Sequence, residues 1–414
     1  MTSSASASPL DLPVVLYEIF RHCNARTLAR ASCVNRLWRE TAQRVTSNAV
    51  RAFSTHFTAR STYAECLLDV ASHIDTLQRA PAALLLFISQ DDDDDDVDVV
   101  TSFCSRIPSN CIAIFCHNEE VGVIGKDGRV FESDDKQPIV VTTLVVPRLN
   151  NMSVQLLGLN GYESPKKFTE NAIRSLFASS NVDRSRRRPK QELVNLFPGG
   201  VIDYESSRLV LCLTSSESQY SPGCSQPFYR GLLRCRRRRH GNALTGALVG
   251  GTVIGGIRCY VGATPIPYPN SSLLGLALGG VGFRPATVVS RDVRDVRDLM
   301  ARVRRDLSGG ASTLLSAACF ACICVGRRDD VVPGSSLDPL HSMRALFPGV
   351  PVVGFLGNGE FGELGACGCE DEAGAGGDDD DDDQGDHKHS EKRKRLETFQ
   401  HAFTFAFGFL TLPS

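Results

Sequence analysis

Short apolar runs separated by glycine, proline, serine and asparagine dominate the middle of the chain. Between about residues 110 and 290, five of these runs have the length and the aliphatic and β-branched content of buried strands. They are NCIAIFC, PIVVTTLVV, RLVLCLT, ALVGGTVIGGI and LLGLALGGVGF. The segments SPKKFTENAIRSLFAS and QELVNLF between them predict helices. Upstream, residues 51–89 predict a helix and then one more apolar strand, AALLLFIS.

After residue 290 the pattern alternates between helix and strand. The segment SRDVRDVRDLMARVRRDLSGG predicts a helix, because its apolar side chains recur near helical spacing and it stops at two glycines. A strand, LLSAACFACICVG, and a helix, LDPLHSMRALF, follow. The runs VPVVGFL and FQHAFTFAFGFL predict the last strands. Such alternation is typical of a mixed α/β region.

The N-terminal stretch has a different, purely helical pattern. Its apolar side chains lie at i, i+3, i+4, i+7 and i+8, which is one face of a helix. They are Leu12, Val15, Leu16, Ile19 and Phe20. Pro13 suits the first turn with Asp11 as a cap before it, and Asn24 and Asn35 can cap two further helices. Three helices in about 40 residues cannot bury this apolar surface alone, so a partner or the rest of the chain must cover part of it.

These patterns together predict an α+β protein with a small helical module at its N-terminus. We expect a disordered tail at 1–9, the helical module at 10–50, a connecting helix and first strand at 51–90, an acidic loop at 91–98, and mixed α/β regions at 99–290 and 291–414, the last with a low-complexity insert at 370–395. The echo of LFPGG in LFPGV suggests that the α/β part is built of two related halves.

Composition agrees with a soluble globular protein and narrows its partners. Hydrophobic residues make up 42% of the 414 residues and the formal net charge is −2, so bulk charge does not call for nucleic acid. No apolar run reaches the roughly 20 residues that span a bilayer, and the N-terminus lacks the features of a secretory signal. Fifteen cysteines without a secretory context indicate an intracellular protein with mostly free thiols.

A glycine pattern near the C-terminus has the spacing of a dinucleotide-binding fingerprint. Gly357, Gly359 and Gly362 follow an apolar strand, as that fingerprint requires. The fingerprint also needs a helix whose N-terminus holds the pyrophosphate. Here ELGACGCEDEAGAGG and six aspartates follow, which is no amphipathic helix and would repel a phosphate. We therefore expect a strand and a turn whose glycines allow a positive φ or a close backbone approach.

The N-terminal helical pattern resembles an F-box. The matching positions, in order and spacing, are Leu12-Pro13, Ile19-Phe20, Leu28, Val34 and Trp38. Cys23 stands where a leucine is usual, and Asn24-Ala25 replaces the common Asp-Pro. The resemblance implies binding to the Skp adaptor, and through it to a cullin scaffold and its RING subunit. It assigns that contact to Leu12, Pro13, Leu16, Ile19, Phe20, Leu28, Val34 and Trp38. The alternative is a helical bundle that only packs on the next region.

Two C-terminal motifs resemble the C-terminal half of a FIST domain. A strand ending in Cys-x-Gly-Arg is matched at 324–327, a Gly-x-Gly-Glu turn is matched at 357–360, and a final strand follows. The resemblance implies a substrate receptor of a ubiquitin ligase whose FIST region holds a protein substrate, or a small ligand as is thought for bacterial sensor proteins. The surface residues it implies are Cys324, Gly326, Arg327, Gly357, Asn358, Gly359 and Glu360. Glu360 would cap backbone N–H groups or contact a partner.

Closely spaced cysteines raise the question of a zinc site, and the predicted strand argues against it. Residues three apart on a strand point to opposite faces, so Cys319 and Cys322 cannot hold one ion. Cys367, Cys369 and the histidines His387 and His389 offer the remaining ligands. Cys324 lies near two arginines, which would lower a thiol pKa, and is either a reactive thiol or a buried inert one. No metal or cofactor is predicted.

The remaining charged runs and motifs favour a non-catalytic protein. The six aspartates at 91–96 predict a solvated loop rather than a metal site. Basic runs at 184–190, 234–240 and 392–395 predict solvated loops, with nuclear import as the alternative. No nucleophile elbow, P-loop or zinc-protease motif is present, so we expect a cytoplasmic and nuclear receptor without a membrane or nucleic-acid partner. The alternative is a small-ligand sensor or FIST-type enzyme whose N-terminal helices pack only in cis.

Overall fold

The computed structural model describes most of the helical module and the strands of the α/β part. The described residues are 13–47, 53–90, 97–118, 123–124, 130–131, 138–149, 152–159, 207–215, 247–266, 273–280, 283–290, 292–308, 317–327, 338–357, 360–362, 365–366, 400–401 and 405–412. The predicted helices at 164–179 and 191–197, the three basic runs and both aspartate runs lie outside them.

The described residues form seven helices and nineteen strands. The helices are α1 (Pro13–Phe20), α2 (Ala25–Ala31), α3 (Arg36–Ser47), α4 (Tyr63–Thr76), α5 (Val97–Arg106), α6 (Val293–Ser308) and α7 (Pro339–Leu346). The strands are β1 (Ser54–Arg60), β2 (Pro81–Ile88), β3 (Ile112–His117), β4 (Val123–Ile124), β5 (Val130–Phe131), β6 (Ile139–Pro147), β7 (Met152–Leu159), β8 (Ser207–Ser215), β9 (Ala247–Val253), β10 (Ile257–Val261), β11 (Thr264–Pro265), β12 (Leu273–Gly280), β13 (Arg284–Ser290), β14 (Ala317–Cys324), β15 (Val352–Gly357), β16 (Glu360–Gly362), β17 (Gly365–Ala366), β18 (Gln400–His401) and β19 (Phe405–Thr411). None of the described helices is long and apolar enough to cross a membrane.

The N-terminal module is a three-helix bundle with its own small core. Asn24 Oδ1 accepts the backbone N–H of Thr27 at 2.8 Å and Asn35 Oδ1 accepts that of Trp38 at 2.9 Å. Both asparagines therefore cap helices, as predicted, because a side-chain oxygen satisfies an N–H that the first turn leaves unpaired. The buried core consists of Leu16, Phe20, Leu28, Ala31, Ala42 and Val45.

One strand connectivity occurs three times in the rest of the chain, and each occurrence is called a unit here. The first unit contains β1, β2, β3 and β6, the second β7, β8, β9 and β12, and the third β13, β14, β15 and β19. In every unit the fourth strand lies between the first two and is antiparallel to both, while the second and third strands are parallel. The α/β part is therefore a triplicated structure, where the sequence suggests two related halves.

The residue register of the three units is the same. In the second strands, Phe87, Leu213 and Cys322 occupy one equivalent position. Their partners in the fourth strands are Thr142, Leu274 and Ala406, and those in the third strands are Cys116, Gly251 and Phe355. Equivalent positions can therefore be compared between units residue by residue.

Each unit also sends a short arm into the sheet of another unit. β4 of the first unit pairs with β15, β10 of the second pairs with β3, and β16 of the third pairs with β9. The arms bind at the equivalent position, through the pairs Val123–Phe355, Ile257–Cys116 and Glu360–Gly251. This exchange is cyclic, so each sheet is completed by strands from a second unit.

The three sheets enclose one central core. The inner faces of all three contribute to a single cluster, in which the rings of Phe87, Phe320 and Phe355 lie 5.5 to 6.1 Å apart. Aromatic pairs at such distances add about 0.5–1.5 kcal/mol each beyond their burial. Helices α4 and α5 cover the outer face of the first sheet, and α6 and α7 cover that of the third. The core thus joins the units that the arms also connect.

Several predicted elements need correction. Residues 51–89 contain β1 before α4, not only a helix and β2, and α5 begins at Val97, within the predicted acidic loop. The run ALVGGTVIGGI is two strands, β9 and β10, in different sheets. Gly255 separates them with φ +135°. β13 follows the predicted strand at 273–283, so the third unit begins before the boundary expected at residue 290.

The carboxylate of Asp69 on α4 connects this helix to β1. Asp69 accepts hydrogen bonds from Thr58 Oγ1 at 2.8 Å and from Arg60 Nε at 2.7 Å. The hydroxyl of Thr58 and then the guanidinium of Arg60 lower the pKa of Asp69 below its ordinary value. The folded chain therefore binds this proton more weakly than the unfolded chain does.

The sign of this shift predicts how stability depends on pH. The contribution of Asp69 is present above about pH 4, the ordinary value of the carboxyl group, and is lost as the pH falls through the lower folded pKa. We expect Asp69→Asn to lose less stability than the wild type when the pH is lowered from 7 to 3, measured by urea unfolding. Equal losses in the two proteins would contradict the assignment.

Candidate functional site

The surface of the helical module carries an unusual number of apolar side chains. Val14 is 74% exposed, Val15 37%, Ile19 44% and Val34 59%. We call these four residues the apolar surface. Among the described residues, the only other exposed large apolar side chains are Leu68 and Val97. Helix α1 is thus apolar on its inner and outer sides, which is typical of a helix that contacts a partner as well as its own core.

The structure divides the predicted adaptor-binding residues into two groups. Leu16, Phe20 and Leu28 are buried in the core of the module. Trp38 is partly buried, with its ring 5.3 Å from that of Phe20 in an edge-to-face arrangement. The exposed group consists of Pro13, Ile19 and Val34, and Leu12 lies outside the described residues.

Sequence reasoning missed two residues of the apolar surface. Val14 was not singled out, and Val15 was assigned only to the helical face of the module. A signal was available, because the segment PVVLYEIF is too apolar for a helix with a single buried face.

Polar bonds attach the module to the end of α4. The N–H of Ala25 donates to the Leu77 carbonyl at 2.6 Å, and Asn24 Nδ2 donates to the Asp75 carbonyl at 2.7 Å. Arg79 Nε donates to the Thr46 carbonyl at 2.8 Å. The departure from the usual Asp-Pro pair has a structural role here, because a proline at position 25 would have no N–H to donate. These bonds leave the apolar surface uncovered.

The second predicted site lies where the parallel strands of the third unit end. Cys324 is paired in register with Gly357, so the structure brings these two motifs together. Cys324 is 5% exposed, and the Arg327 guanidinium lies 5.5 Å from the Phe405 ring centroid. Gly326 is exposed. Asn358, Gly359 and the Glu360 side chain lie outside the described part of the chain.

The repeat places polar residues of the other units at the equivalent strand ends. Ser89 and Ser215 stand two residues after Phe87 and Leu213, which is the position of Cys324 in the third unit. The Ser89 hydroxyl accepts the N–H of Val140 at 2.9 Å, and that of Ser215 donates to the Gly255 carbonyl at 2.7 Å. Both hydroxyl groups therefore already bond to backbone groups of their own unit.

Asn118, which follows β3 of the first unit, lies at the junction where the three units meet. Its side chain is fully buried. Nδ2 donates to the Leu356 carbonyl of the third unit at 2.9 Å, and Oδ1 accepts the N–H of Ile254 from the second unit at 3.1 Å. The Asn118 side chain, which belongs to the first unit, therefore hydrogen-bonds to the backbone of both other units. No local sequence pattern marks this asparagine, because its partners lie more than one hundred residues away.

The thiols of the strands do not form a metal site in the described residues. Cys319 belongs to the cluster under α6 and α7 and Cys322 to the central core, on opposite faces of β14, as alternation predicts. No three potential ligands come together in the part of the chain that is described. Burial raises the pKa of Cys319 on β14, and it also raises the pKa of Cys104 on helix α5, to about 12. Such thiols are protonated at neutral pH and poor nucleophiles.

The glycine pattern belongs to two strands and not to a nucleotide-binding turn. β15 ends at Gly357 and the next described element is another strand, β16, in a different sheet. A Cβ atom at Gly357 would lie 2.6 Å from the Thr252 carbonyl oxygen. The glycine therefore permits a close backbone approach between units, one of the two roles expected for it.

Comparisons with known proteins agree with the helical module. Residues 9–48 match the model of the F-box domain, so the chain carries an F-box domain at these residues. This match covers the module α1–α3 with its apolar surface. F-box domains typically bind the Skp adaptor of Skp–cullin–F-box ligases. No curated protein sequence matches the chain.

Two solved structures of cyanuric acid hydrolase show a distant similarity. One, from A. caulinodans, is 10% identical, covers 87% of this chain and 99% of its own, and has a TM-score of 0.40. The other is described as an innovation by structural concatenation, is 9% identical, covers 88% and 100%, and has a TM-score of 0.34. At TM-scores below 0.5 these similarities support no statement about activity.

Proposed function

We propose that this chain is the substrate-recognition subunit of a Skp–cullin–F-box ubiquitin ligase. The apolar surface of the F-box carries the proposal. Several exposed apolar side chains on one small module favour an interaction site, because water contact with apolar side chains is unfavourable. The F-box match supports the Skp adaptor as the proposed partner of this surface, and the cullin and RING subunits would join through the adaptor.

The α/β part would hold the substrate and take no part in the chemistry. Its FIST-like motifs at Cys324, Gly326, Arg327 and Gly357–Glu360 are our candidates for a substrate or ligand surface. Holding a substrate near the transferring subunit accelerates the reaction by proximity alone. Degradation by the proteasome would follow ubiquitin transfer, in the cytoplasm and the nucleus.

Substitution of two apolar residues by aspartate tests the adaptor contact. We expect Val15→Asp with Ile19→Asp to weaken adaptor binding by roughly a thousandfold, because two central apolar contacts contribute about 2 kcal/mol each. Leu68→Asp is the control, since Leu68 is also an exposed apolar side chain, 55% exposed, but lies on α4, outside the F-box. Binding would be measured by titration calorimetry of purified full-length proteins with the adaptor.

Leu16 is unsuitable for this test, because it is 1% exposed and an aspartate there would unfold the module. Circular dichroism and melting curves should show all variants folded. A folded wild type that does not bind the adaptor would refute the proposal. It would favour the alternative of a small-ligand sensor or a FIST-type enzyme, which ligand-dependent thermal stabilisation would then reveal.

A further inference from the structure

We propose that the outer edge of β1 binds an extended segment of a substrate protein, which joins the first sheet as an antiparallel strand. Among the strands that the structure describes, β1 lies at the end of that sheet and pairs only with β6. An edge strand offers a row of backbone N–H and C=O groups that a further strand can pair with. The inference rests on the proposed function, because it names the surface through which a receptor would hold its substrate.

The third unit shows what this edge accepts. β13 has the place of β1 in that unit, and its outer edge carries β17 in antiparallel pairing. Ala286 pairs with Ala366 and Thr287 with Gly365. The triplicated fold therefore accommodates an added strand on the edge of a first strand.

The shared register locates the equivalent position on β1. Ser54 pairs with Val145 and Ala286 pairs with Phe409, and both partners lie three residues after equivalent positions of the fourth strands. Ser54 and Thr55 are thus the equivalents of the two residues that bind β17. We expect the substrate strand to pair at Ser54 and Thr55.

β1 is less buried than β13. Five consecutive residues of β13, Pro285 to Val289, are buried. In β1 only Thr58 is buried and the other six residues are partly or fully exposed. β1 is therefore less covered than β13, whose edge carries β17.

Both faces of β1 contact other parts of the protein, so a partner can bind only at the edge of the strand. Phe57 packs against the central core, with its ring 4.5 Å from that of Phe131. On the other face, Thr58 and Arg60 bond to Asp69 of α4. A partner must consequently bind through the main chain, which suits an extended peptide better than a folded surface.

The edge also lies close to the F-box. β1 begins shortly after α3, and the F-box is hydrogen-bonded to the end of α4 that follows β1. A peptide bound here would be held close to the attachment point of the F-box. β7 has the same place in the second unit, but the chain on both sides of it lies outside the described residues, so the proposal is made for β1.

Peptide display on the intact complex provides the first test. A random dodecapeptide library would be panned against the full-length protein bound to the adaptor, and an enriched peptide would be resynthesised with single N-methyl groups. A backbone N-methyl group removes one main-chain donor. We expect about tenfold weaker binding at every second position of the peptide, because alternate N–H groups of a strand face the partner strand.

Hydrogen exchange and paired proline variants locate the site. Binding of the peptide should slow amide exchange in residues 54–60. Neighbouring N–H groups of a strand point to opposite sides, so one of Ser54→Pro and Thr55→Pro removes a donor from the open edge and the other removes one from the β6 side. We expect one variant to stay folded, bind the adaptor as the wild type does, and bind the peptide at least tenfold more weakly.

The outcomes separate this inference from the proposed function. An unenriched library, an N-methyl scan without alternation, or exchange protection outside β1 would overturn the edge site while adaptor binding stands. Unchanged peptide binding in both folded proline variants would do the same. Failure of the wild type to bind the adaptor would instead remove the proposed function. The N-methyl scan uses the wild-type protein, so an unfolded variant does not affect it.

Discussion

Gly354→Ala is expected to destabilise the protein by at least about 3 kcal/mol, because the added methyl group has no space. A Cβ atom at this position would lie 1.7 Å from the Ala321 carbonyl oxygen. That oxygen belongs to β14, which pairs in parallel with β15 at this point. Backbone held between two strands cannot yield as a flexible side chain does. Chemical denaturation should show the loss, which is a large part of the roughly 5–15 kcal/mol of a typical domain.

Gly349→Ala is the matched control for this prediction. Gly349 has φ +77° in the turn before β15, and no atom lies within 4 Å of the position that an added methyl group would take. The substitution therefore costs only the strain of a left-handed conformation, about 1–2 kcal/mol. A loss at Gly354 no greater than that at Gly349 would mean that β14 and β15 are not packed as described.

Asn118→Ala is expected to cost about 3 kcal/mol, because it leaves a partly buried donor and a buried acceptor without their partner. These are the N–H of Ile254 and the carbonyl of Leu356, each in a different unit. The loss should concentrate at the junction. Hydrogen exchange is expected to accelerate in the strand ends of all three units, with little change in the F-box.

The same substitution at an exposed helix cap gives the comparison. Asn35→Ala removes one hydrogen bond to the N–H of Trp38, where water can replace it, and should cost about 1 kcal/mol. Adaptor binding by Asn118→Ala at low temperature should equal that of the wild type, since the F-box is attached elsewhere. Equal stability losses in the two variants would show that Asn118 does not hold the units together.

Local patterns predicted the elements that are buried on both sides. β3, β6 and β14 appear as apolar runs because the central core covers one face of their sheets and helices cover the other. β1 was missed for the opposite reason. Its sequence STHFTAR places polar side chains toward α4, where Thr58 and Arg60 bond to Asp69, so hydrophobicity does not reveal the strand.

An uninterrupted apolar run can also conceal a break. β9 and β10 were predicted as one strand because the sequence between them stays apolar and glycine-rich. Gly255 turns the chain there and its Cβ position would meet the His117 carbonyl oxygen at 2.6 Å. Only the contact with a residue far along the chain makes that turn necessary.

The sequence by itself determined the F-box, because its helix spacing, caps and aromatic core are all local features within about 40 residues. It also determined the α+β class. The tertiary structure alone decided the triplication, the exchange of arms and the role of Asn118, because strand pairing depends on contacts between distant residues. It also decided which apolar residues of α1 are buried, as Leu16 is, and which are exposed, as Ile19 is, since periodicity places both on one face.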